Sequence, residues 1–192
     1  MKEARNIFVA IVFGMAATFA VPRQVIASSG EAKPVNKFKS SGARYLRDLS
    51  RTIQNADEIT ITEHSSLWDY YRPGTRREDY KEKIYGFVKL TPEQKMKLFK
   101  DVSGMSSETQ NAFASCIFEP HHRIAFYRGG RLKSAMEICF KCGQVEWNGT
   151  TQTQPWSLYE GMSRFISDLG LHPNADWRGK YDDLSVDAQA KS

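Results

Sequence analysis

A pair of glycines between two strand-like segments constrains the fold of this chain more than any other feature. Residues 124–140 carry spaced apolar side chains that Gly129-Gly130 interrupt. Glycine adopts the left-handed backbone conformations of tight turns at no steric cost, so a glycine pair in this position is typical of a β-hairpin. The sequence therefore predicts two antiparallel strands joined at Gly129-Gly130.

The register of this hairpin decides which side chains are buried. A three-residue turn places the apolar residues of both strands on one face, namely Ile124, Phe126, Met136 and Ile138. It also places His121 opposite Cys139. A turn of the two glycines alone places Pro120 opposite Cys139 and loses the apolar match. Because register follows the hydrophobic pattern, we prefer the three-residue turn.

The remaining pattern predicts an α+β domain. The expected elements are a helix over 43–55, strands over 58–63, 84–90 and 144–147, and helices over 92–102 and 155–168. Thr91 and Gln94 have the spacing of a helix-capping box, and Gly170 follows the last helix as a C-terminal cap. Strands that pair through hairpins, with helices around them, predict a small antiparallel sheet with a central Gly-Gly β-hairpin and about three flanking helices.

Every cysteine of the chain lies within residues 116–142, together with two of its four histidines. Folding at the glycine turn brings these side chains to the open end of the hairpin. Thiolate and imidazole are ligands for zinc and for Cu(I), so one interpretation is a four-ligand metal site. Its ligands are Cys116, His122, Cys139 and Cys142, with His121 as the alternative histidine.

Two other interpretations of the cysteines stay open. In an oxidising compartment we expect a disulfide from Cys116 to Cys142 or from Cys116 to Cys139, with one thiol left buried. A redox-active Cys139-x-x-Cys142 pair has less support. Such pairs are tuned by a helix N-terminus, and here the first cysteine ends a strand.

The string Cys-x-x-x-Pro-x-His, the Gly-Gly hairpin and the string Ile-Cys-Phe-x-Cys together resemble a motif of uncharacterised exported bacterial proteins. The resemblance covers residues 116–142. It implies that five residues form one shared unit, namely Cys116, Pro120, His122, Cys139 and Cys142. It therefore favours His122 over His121 as a member of the site, and it implies no substrate.

Residues 1–27 have the pattern of a cleavable secretory signal peptide. Basic residues precede an uncharged segment over 7–20, which is shorter than the roughly 20 residues of a membrane helix. Small residues permit cleavage after Ala20 or after Ala27, and we prefer Ala27 because a polar segment follows it. We therefore expect an exported protein, periplasmic or secreted, with no membrane span after signal removal.

The chain beyond the signal peptide is expected to form one domain over 42–174. A flexible lead-in covers 28–41, and a polar tail covers 175–192. Removing residues 1–27 takes away three basic residues and one acidic residue, so the net charge falls from +5 to +3. The basic residues are scattered and form no stripe with aromatic rings, which argues against nucleic-acid binding.

Aromatic residues in the predicted surface loop over 65–83 form a candidate partner-binding site. They are Trp68, Tyr70 and Tyr71. Such rings stack on sugars or on partner proteins, and packing in the core is the alternative. His64 is expected to be solvated. Glu119 and Glu137 are expected to be solubilising charges on exposed strand faces.

These features predict an exported binding or structural module whose hairpin carries a Cys/His metal site or a disulfide. The first alternative is a periplasmic enzyme with a site assembled from distant segments. It is only an alternative because no nucleophile, base and orienting group occur at recognisable spacing. The second alternative is an inhibitor or immunity-type protein that binds another exported protein through the aromatic loop.

Overall fold

A five-stranded antiparallel sheet with the strand order β2-β1-β3-β4-β5 forms the centre of the fold. The computed structural model describes residues 37–109 and 116–189, so the predicted signal peptide over 1–27 lies outside the described residues. The strands are β1 (Glu58–His64), β2 (Ile84–Lys89), β3 (His122–Arg128), β4 (Arg131–Cys139) and β5 (Gln144–Trp147). The predicted α+β fold with a small antiparallel sheet is confirmed.

Five helices accompany the sheet in the described residues. They are α1 (Lys37–Asn55), α2 (Leu67–Tyr70), α3 (Pro92–Ser103), α4 (Trp156–Asp168) and α5 (Trp177–Gln189), with one 3-10 turn over Arg77–Asp79. The capping box predicted for α3 is present, because Thr91 Oγ1 accepts the backbone N–H of Gln94 and Gln94 Oε1 accepts that of Thr91. None of the helices described has the length and apolar character needed to span a membrane.

The hairpin turn contains only Gly129 and Gly130. Their φ angles are +59° and +68°, and Arg128 pairs directly with Arg131 across them. Two consecutive residues with positive φ form the type of turn whose twist matches that of antiparallel strands. The three-residue turn that we preferred is therefore wrong.

A β-bulge nevertheless restores the register that the apolar pattern predicted. The pairing shifts by one residue after Phe126, which pairs with Ser134, so that Lys133 is an extra residue on β4. The insertion brings Ile124 opposite Met136, and the apolar faces of the two strands coincide. The predicted register is confirmed, but a bulge produces it rather than the length of the turn.

A single hydrophobic core joins the inward face of the sheet to α1, α3 and α4. Its largest fully buried side chains are Phe126, Phe165, Leu49, Ile53, Ile59, Ile61, Leu98, Ile124, Met136, Ile138, Leu158 and Met162. Each such side chain contributes about 1.5–3 kcal/mol through the hydrophobic effect. The alternation that buries Ile59 and Ile61 continues to Glu63, so one end of this apolar face borders a buried charge.

The two segments expected to be flexible are partly helical. α1 begins at Lys37, inside the predicted lead-in over 28–41, and α5 lies inside the predicted tail over 175–192. Tyr181 of α5 is buried, and Trp177 stacks on an aromatic ring of β2. A few aromatic contacts hold this otherwise polar segment, so its helix depends on tertiary packing and not on an apolar stripe.

Phe126→Ala should lower the free energy of unfolding by about 3–5 kcal/mol, because it removes a fully buried ring and leaves a cavity in the core. Phe87 is the matched control on the same sheet. It is 62 % exposed, so Phe87→Ala should cost less than about 1 kcal/mol. Urea unfolding measures both values, and equal losses in the two variants would contradict the assignment of the core face.

Candidate functional site

Cys116 and Cys142 lie at disulfide distance near the open end of the hairpin. Their Cα atoms are 6.0 Å apart across a sequence separation of 26 residues. Cys139 is buried and has no disulfide partner. This pairing corresponds to the first of the two disulfide alternatives. Closing a loop of this length contributes about 3 kcal/mol, mainly by restricting the unfolded chain.

The described residues do not bring the four predicted metal ligands together, namely Cys116, His122, Cys139 and Cys142. His122 pairs with Ile138, so its side chain shares the core face, while Cys139 is the next residue and alternates to the other face. The alternative ligand His121 contacts Asp69. Within residues 37–109 and 116–189, no three histidine, cysteine or carboxylate side chains are placed to hold a metal. Zinc or Cu(I) binding stays a prediction that this arrangement does not support.

Three of the four histidines are instead buried among carboxylates where β1 and β3 meet α2. We call this group the histidine–carboxylate cluster, and its members are Glu63, His64, Asp69, His121, His122 and Glu137. His64 is only 2 % exposed, so the expectation that it is solvated is wrong. Burying ionisable groups costs free energy unless they are paired, and such groups concentrate at functional sites.

Asp69 orients His121 within the cluster. The Nε2 atom of His121 lies 3.1 and 3.0 Å from the two carboxylate oxygens of Asp69. Asp69 is itself fixed in the first turn of α2, because its Oδ2 accepts the backbone N–H of Ser66 at 2.7 Å. In the neutral ring, an Nε2–H that donates to Asp69 leaves the lone pair on Nδ1. The hydrogen bonds of the His121 ring within the described residues are those between its Nε2 and Asp69.

Glu63 and His122 are paired on neighbouring strands and face the core side of the sheet. Glu63 Oε1 lies 3.6 Å from His122 Nε2 and accepts the backbone N–H of His172 at 2.7 Å. Lys180 Nζ lies 3.6 Å from the other carboxylate oxygen. Gly86 stands on the far side of Glu63, where a Cβ atom would approach the carboxylate to 3.2 Å. Glycine thus leaves room for the buried charge and for Leu171, whose Cδ2 a Cβ atom would approach to 2.7 Å.

These contacts set the charge of the pair. Burial pushes the pKa of Glu63 upward, but the His122 ring, the backbone N–H of His172 and the charge of Lys180 outweigh it and hold the pKa at about 2. Burial lowers the pKa of His122, and the neighbouring Glu63 only partly opposes this. At neutral pH the pair is a carboxylate beside a neutral imidazole. Neither ring nitrogen of His122 has a hydrogen-bond partner among the described residues.

His64 and Glu137 form the part of the cluster on the opposite face of the sheet. His64 Nε2 lies 3.2 Å from Glu137 Oε2, and the guanidinium of Arg123 bonds to Glu137 and to Glu82. Burial raises the pKa of Glu137, but the bonds from His64 and Arg123 outweigh it and lower the pKa. Glu137 is therefore a partner in a charged network and not a freely solvated charge, while Glu119 lies 3.7 Å from Lys141.

Trp177 of α5 packs against two rings of the cluster. Its ring stacks on His121 with 4.6 Å between centroids and 9° between planes. It also meets His122 edge-on at 5.4 Å, and Lys180 Nζ lies 5.0 Å from the Trp177 ring centroid. The segment expected to be a polar tail therefore supplies an aromatic wall and a positive charge to the cluster.

A cavity of about 340 Å³ opens beside the Asp69–His121 pair. Its other lining residues are Trp68, Tyr71, Glu119, Lys141, Ala175, Asp176, Trp177 and Arg178. Trp68 and Tyr71 are 39 % and 51 % exposed and contact each other edge-on. Tyr70 packs against Tyr80 and Tyr181 instead. Of the three aromatic candidates, two are therefore available at the rim of this cavity.

The cluster is interpreted from its own geometry and chemistry. No family model, no curated protein and no solved structure matches the chain. Its geometry has three parts that often occur together at reactive sites: a histidine held by a buried carboxylate, an adjacent cavity, and cationic side chains on the cavity wall.

The sequence contained a signal for two of the residues that it did not single out. Glu63 continues the inward alternation of Ile59 and Ile61, so a carboxylate at this position was predictable on the core face. Asp69 follows Ser66 at the spacing of a capping box, which is present in the structure. No local pattern marks Trp177 or Lys180, because only the packing of α5 brings them to the cluster.

Cys116→Ser and Cys142→Ser should each lower the free energy of unfolding by about 3 kcal/mol, because each removes the same cross-link. The double variant should lose no more than either single variant, since the two effects are not independent. Cys139→Ser keeps the cross-link, so reductant should still destabilise that variant. Urea unfolding with and without reductant provides the measurement, and additive losses would contradict the pairing.

Stability should fall in acid in two stages. Burial lowers the pKa of His122 below 6.5, so its contribution is complete above pH 6.5 and declines as the pH falls. The contribution of Glu63 is complete above pH 4.5 and is lost as the pH falls toward 2. Glu63→Gln should reduce the second stage, to which the lowered pKa of Glu137 also contributes, whereas Glu58→Gln on the same strand should leave it unchanged. Urea unfolding at stepped pH tests this, and parallel losses in wild type and Glu63→Gln would contradict it.

Proposed function

We propose that the protein is an exported enzyme that uses His121, oriented by Asp69, as a general base on a small polar substrate in the 340 Å³ cavity. The observation that carries this proposal is the buried Asp69–His121 pair, because both of its residues line a cavity. This corresponds to the class of enzyme in which the site is assembled from distant segments, since residues 69, 121 and 177 are far apart in sequence.

The pair has the chemistry of a proton acceptor. A carboxylate that accepts Nε2–H fixes the ring and stabilises the imidazolium that forms when Nδ1 takes a proton. A pair that served only to satisfy hydrogen bonds would not need to line a cavity. Stacking of Trp177 on the ring further restricts its orientation. Proximity and fixed orientation of a base are a large part of catalysis.

Hydrolysis of an ester is the reaction that this arrangement suits best. His121 Nδ1 accepts a proton from a water molecule, whose oxygen forms a bond to the substrate carbonyl carbon. The carbon–oxygen bond to the alkoxide then breaks, and the imidazolium returns its proton to the leaving group. Lys141 and Arg178 line the same cavity and are the candidates for stabilising the negative charge of the intermediate.

Export is part of the proposal and rests on the signal peptide predicted over 1–27. The Cys116–Cys142 pair supports it, because stable disulfides form mainly outside the cytoplasm. A binding module is the second candidate function. The exposed Trp68 and Tyr71 at the rim favour it, since exposed aromatic pairs are common contact residues for another exported protein.

Chromogenic ester hydrolysis by the full chain tests the enzyme proposal. His121→Gln and Asp69→Asn should lower kcat by about 10²–10⁴-fold, because each removes the oriented base. His172→Gln replaces a histidine whose side chain is 63 % exposed and does not line the cavity, so it should keep the rate. Circular dichroism and thermal melting of each variant establish that it is folded. Turnover that persists in both cavity variants, or no turnover of esters at all, would contradict the proposal.

Diethylpyrocarbonate labelling tests the same site without a substrate. It acylates imidazoles that it can reach, so His121, which lines the cavity, should react more slowly than the exposed His172 and faster than His64 and His122, which do not line it. Mass spectrometry of the labelled peptides measures the rates. Protection of His121 equal to that of His122 would show that its ring nitrogen is not open to the cavity.

A further inference from the structure

A second cavity, of about 700 Å³, lies at the turn end of the hairpin. We call it the turn-end cavity. Because β3 runs from His122 to Arg128, this cavity and the histidine–carboxylate cluster lie toward opposite ends of that strand. The last turns of α1, the hairpin and the turn after β5 line it, with Arg51, Asn55, Arg128, Lys133, Ser134 and Asn148 among the lining residues.

The charged side chains that line the turn-end cavity are all cationic, although the Asp57 carboxylate accepts the backbone N–H of Gly129 at its edge. Three cationic side chains line it, and no Asp or Glu is among the described residues of its wall. Arg51 has a carboxylate partner, Asp48, at 3.9 Å, whereas Arg128 and Lys133 form no ion pair with the described residues. Positive charges on a concave surface focus the field and favour an anionic ligand.

The C-terminal carbonyl groups of α1 would oppose an anion, but a cation already binds them. Lys95 Nζ donates to the carbonyl oxygens of Gln54 and Ala56, at 3.2 and 2.5 Å. A cation at this position compensates the negative end of the helix dipole. The positive potential of the cavity is therefore not cancelled by the end of α1.

Ser134 provides an independent observation that points to a ligand. It lines the cavity, is 5 % exposed, and its Oγ has no hydrogen-bond partner among the described residues. Buried hydroxyl groups are nearly always paired, so an unpaired one in a cavity wall indicates the position of a ligand atom. Asn148 adds a donor, because its Oδ1 accepts the backbone N–H of Ala135 at 2.9 Å and its amide NH₂ is left to donate.

The β-bulge brings two of these groups to the same cavity. In a regular strand, consecutive side chains alternate between the two faces. Lys133 is the extra residue of the bulge, and both Lys133 and Ser134 line the turn-end cavity. Bulges frequently redirect a side chain beside a functional site. The same irregularity that aligns the apolar faces thus also contributes to this cavity.

We propose that the turn-end cavity binds a phosphorylated small molecule of about the size of a sugar phosphate. Two guanidinium groups provide the planar pairs of donors that match phosphate oxygens, and Lys133 adds a third positive charge for a dianion. The cavity volume lies within the range of small-molecule sites. This site is separate from the proposed ester-hydrolysing site and does not depend on it.

Calorimetry and NMR titration of the full chain with ribose 5-phosphate test the proposal, with ribose and inorganic phosphate as separate probes. Ribose 5-phosphate should bind at least about tenfold more tightly than either. Arg128→Gln and Lys133→Gln should each weaken its binding about tenfold or more. Arg131→Gln is the matched control. Arg131 pairs with Arg128 across the turn but does not line the cavity, so affinity should change less than about threefold.

Ser134→Ala separates binding from stability. Removing an unpaired buried hydroxyl should leave the melting temperature unchanged or raise it, while binding of ribose 5-phosphate should weaken about fivefold or more.

Three results would each overturn the proposal: no binding of ribose 5-phosphate at millimolar concentration, equal weakening in Arg131→Gln, or binding of heparin or DNA without binding of ribose 5-phosphate. The last result would indicate a surface for an acidic polymer instead.

Discussion

The pairing of β3 with β4 is the interaction on which the rest of the structure depends. It lies at the centre of the sheet, and its bulge aligns Ile124 with Met136 so that both face the core. The same pairing sets His121 and His122 at the open end of the hairpin and Arg128 at the turn. Both cavities are therefore positioned by one hairpin, and a change of register by one residue would move every one of these side chains to the other face.

Buried charge is the second constraint. An inward-facing carboxylate such as Glu63 is costly in an apolar core, and it is tolerated because His172, Lys180 and His122 surround it. Two of these partners, His172 and Lys180, come from the segment after α4 and from α5, so the C-terminal segment is needed to complete the core at this end. This requirement explains why a segment with little apolar content is nevertheless helical and packed.

The histidine–carboxylate cluster uses both faces of the sheet. The Glu63–His122 pair faces the core, whereas His64, Glu137 and Arg123 form a network on the other side. Asp69 and His121 lie beside the smaller cavity. We infer that the Glu63–His122 pair and the His64–Glu137–Arg123 network hold the strands in place while the Asp69–His121 pair remains available to a ligand. The Cys116–Cys142 pair joins the segment before β3 to the segment after β4, next to this region.

The sequence by itself determined the α+β class, the central hairpin, the capped start of α3 and the apolar register, because hydrophobic alternation, glycine and capping residues act locally. It also brought the cysteines together, although it left the choice among a metal, a disulfide and a redox pair open. The tertiary structure alone decided that the turn has two residues and a bulge, that His64 is buried, and that α5 delivers Trp177 and Lys180. These outcomes depend on contacts between residues distant in sequence. Local sequence patterns do not determine the energies of such contacts.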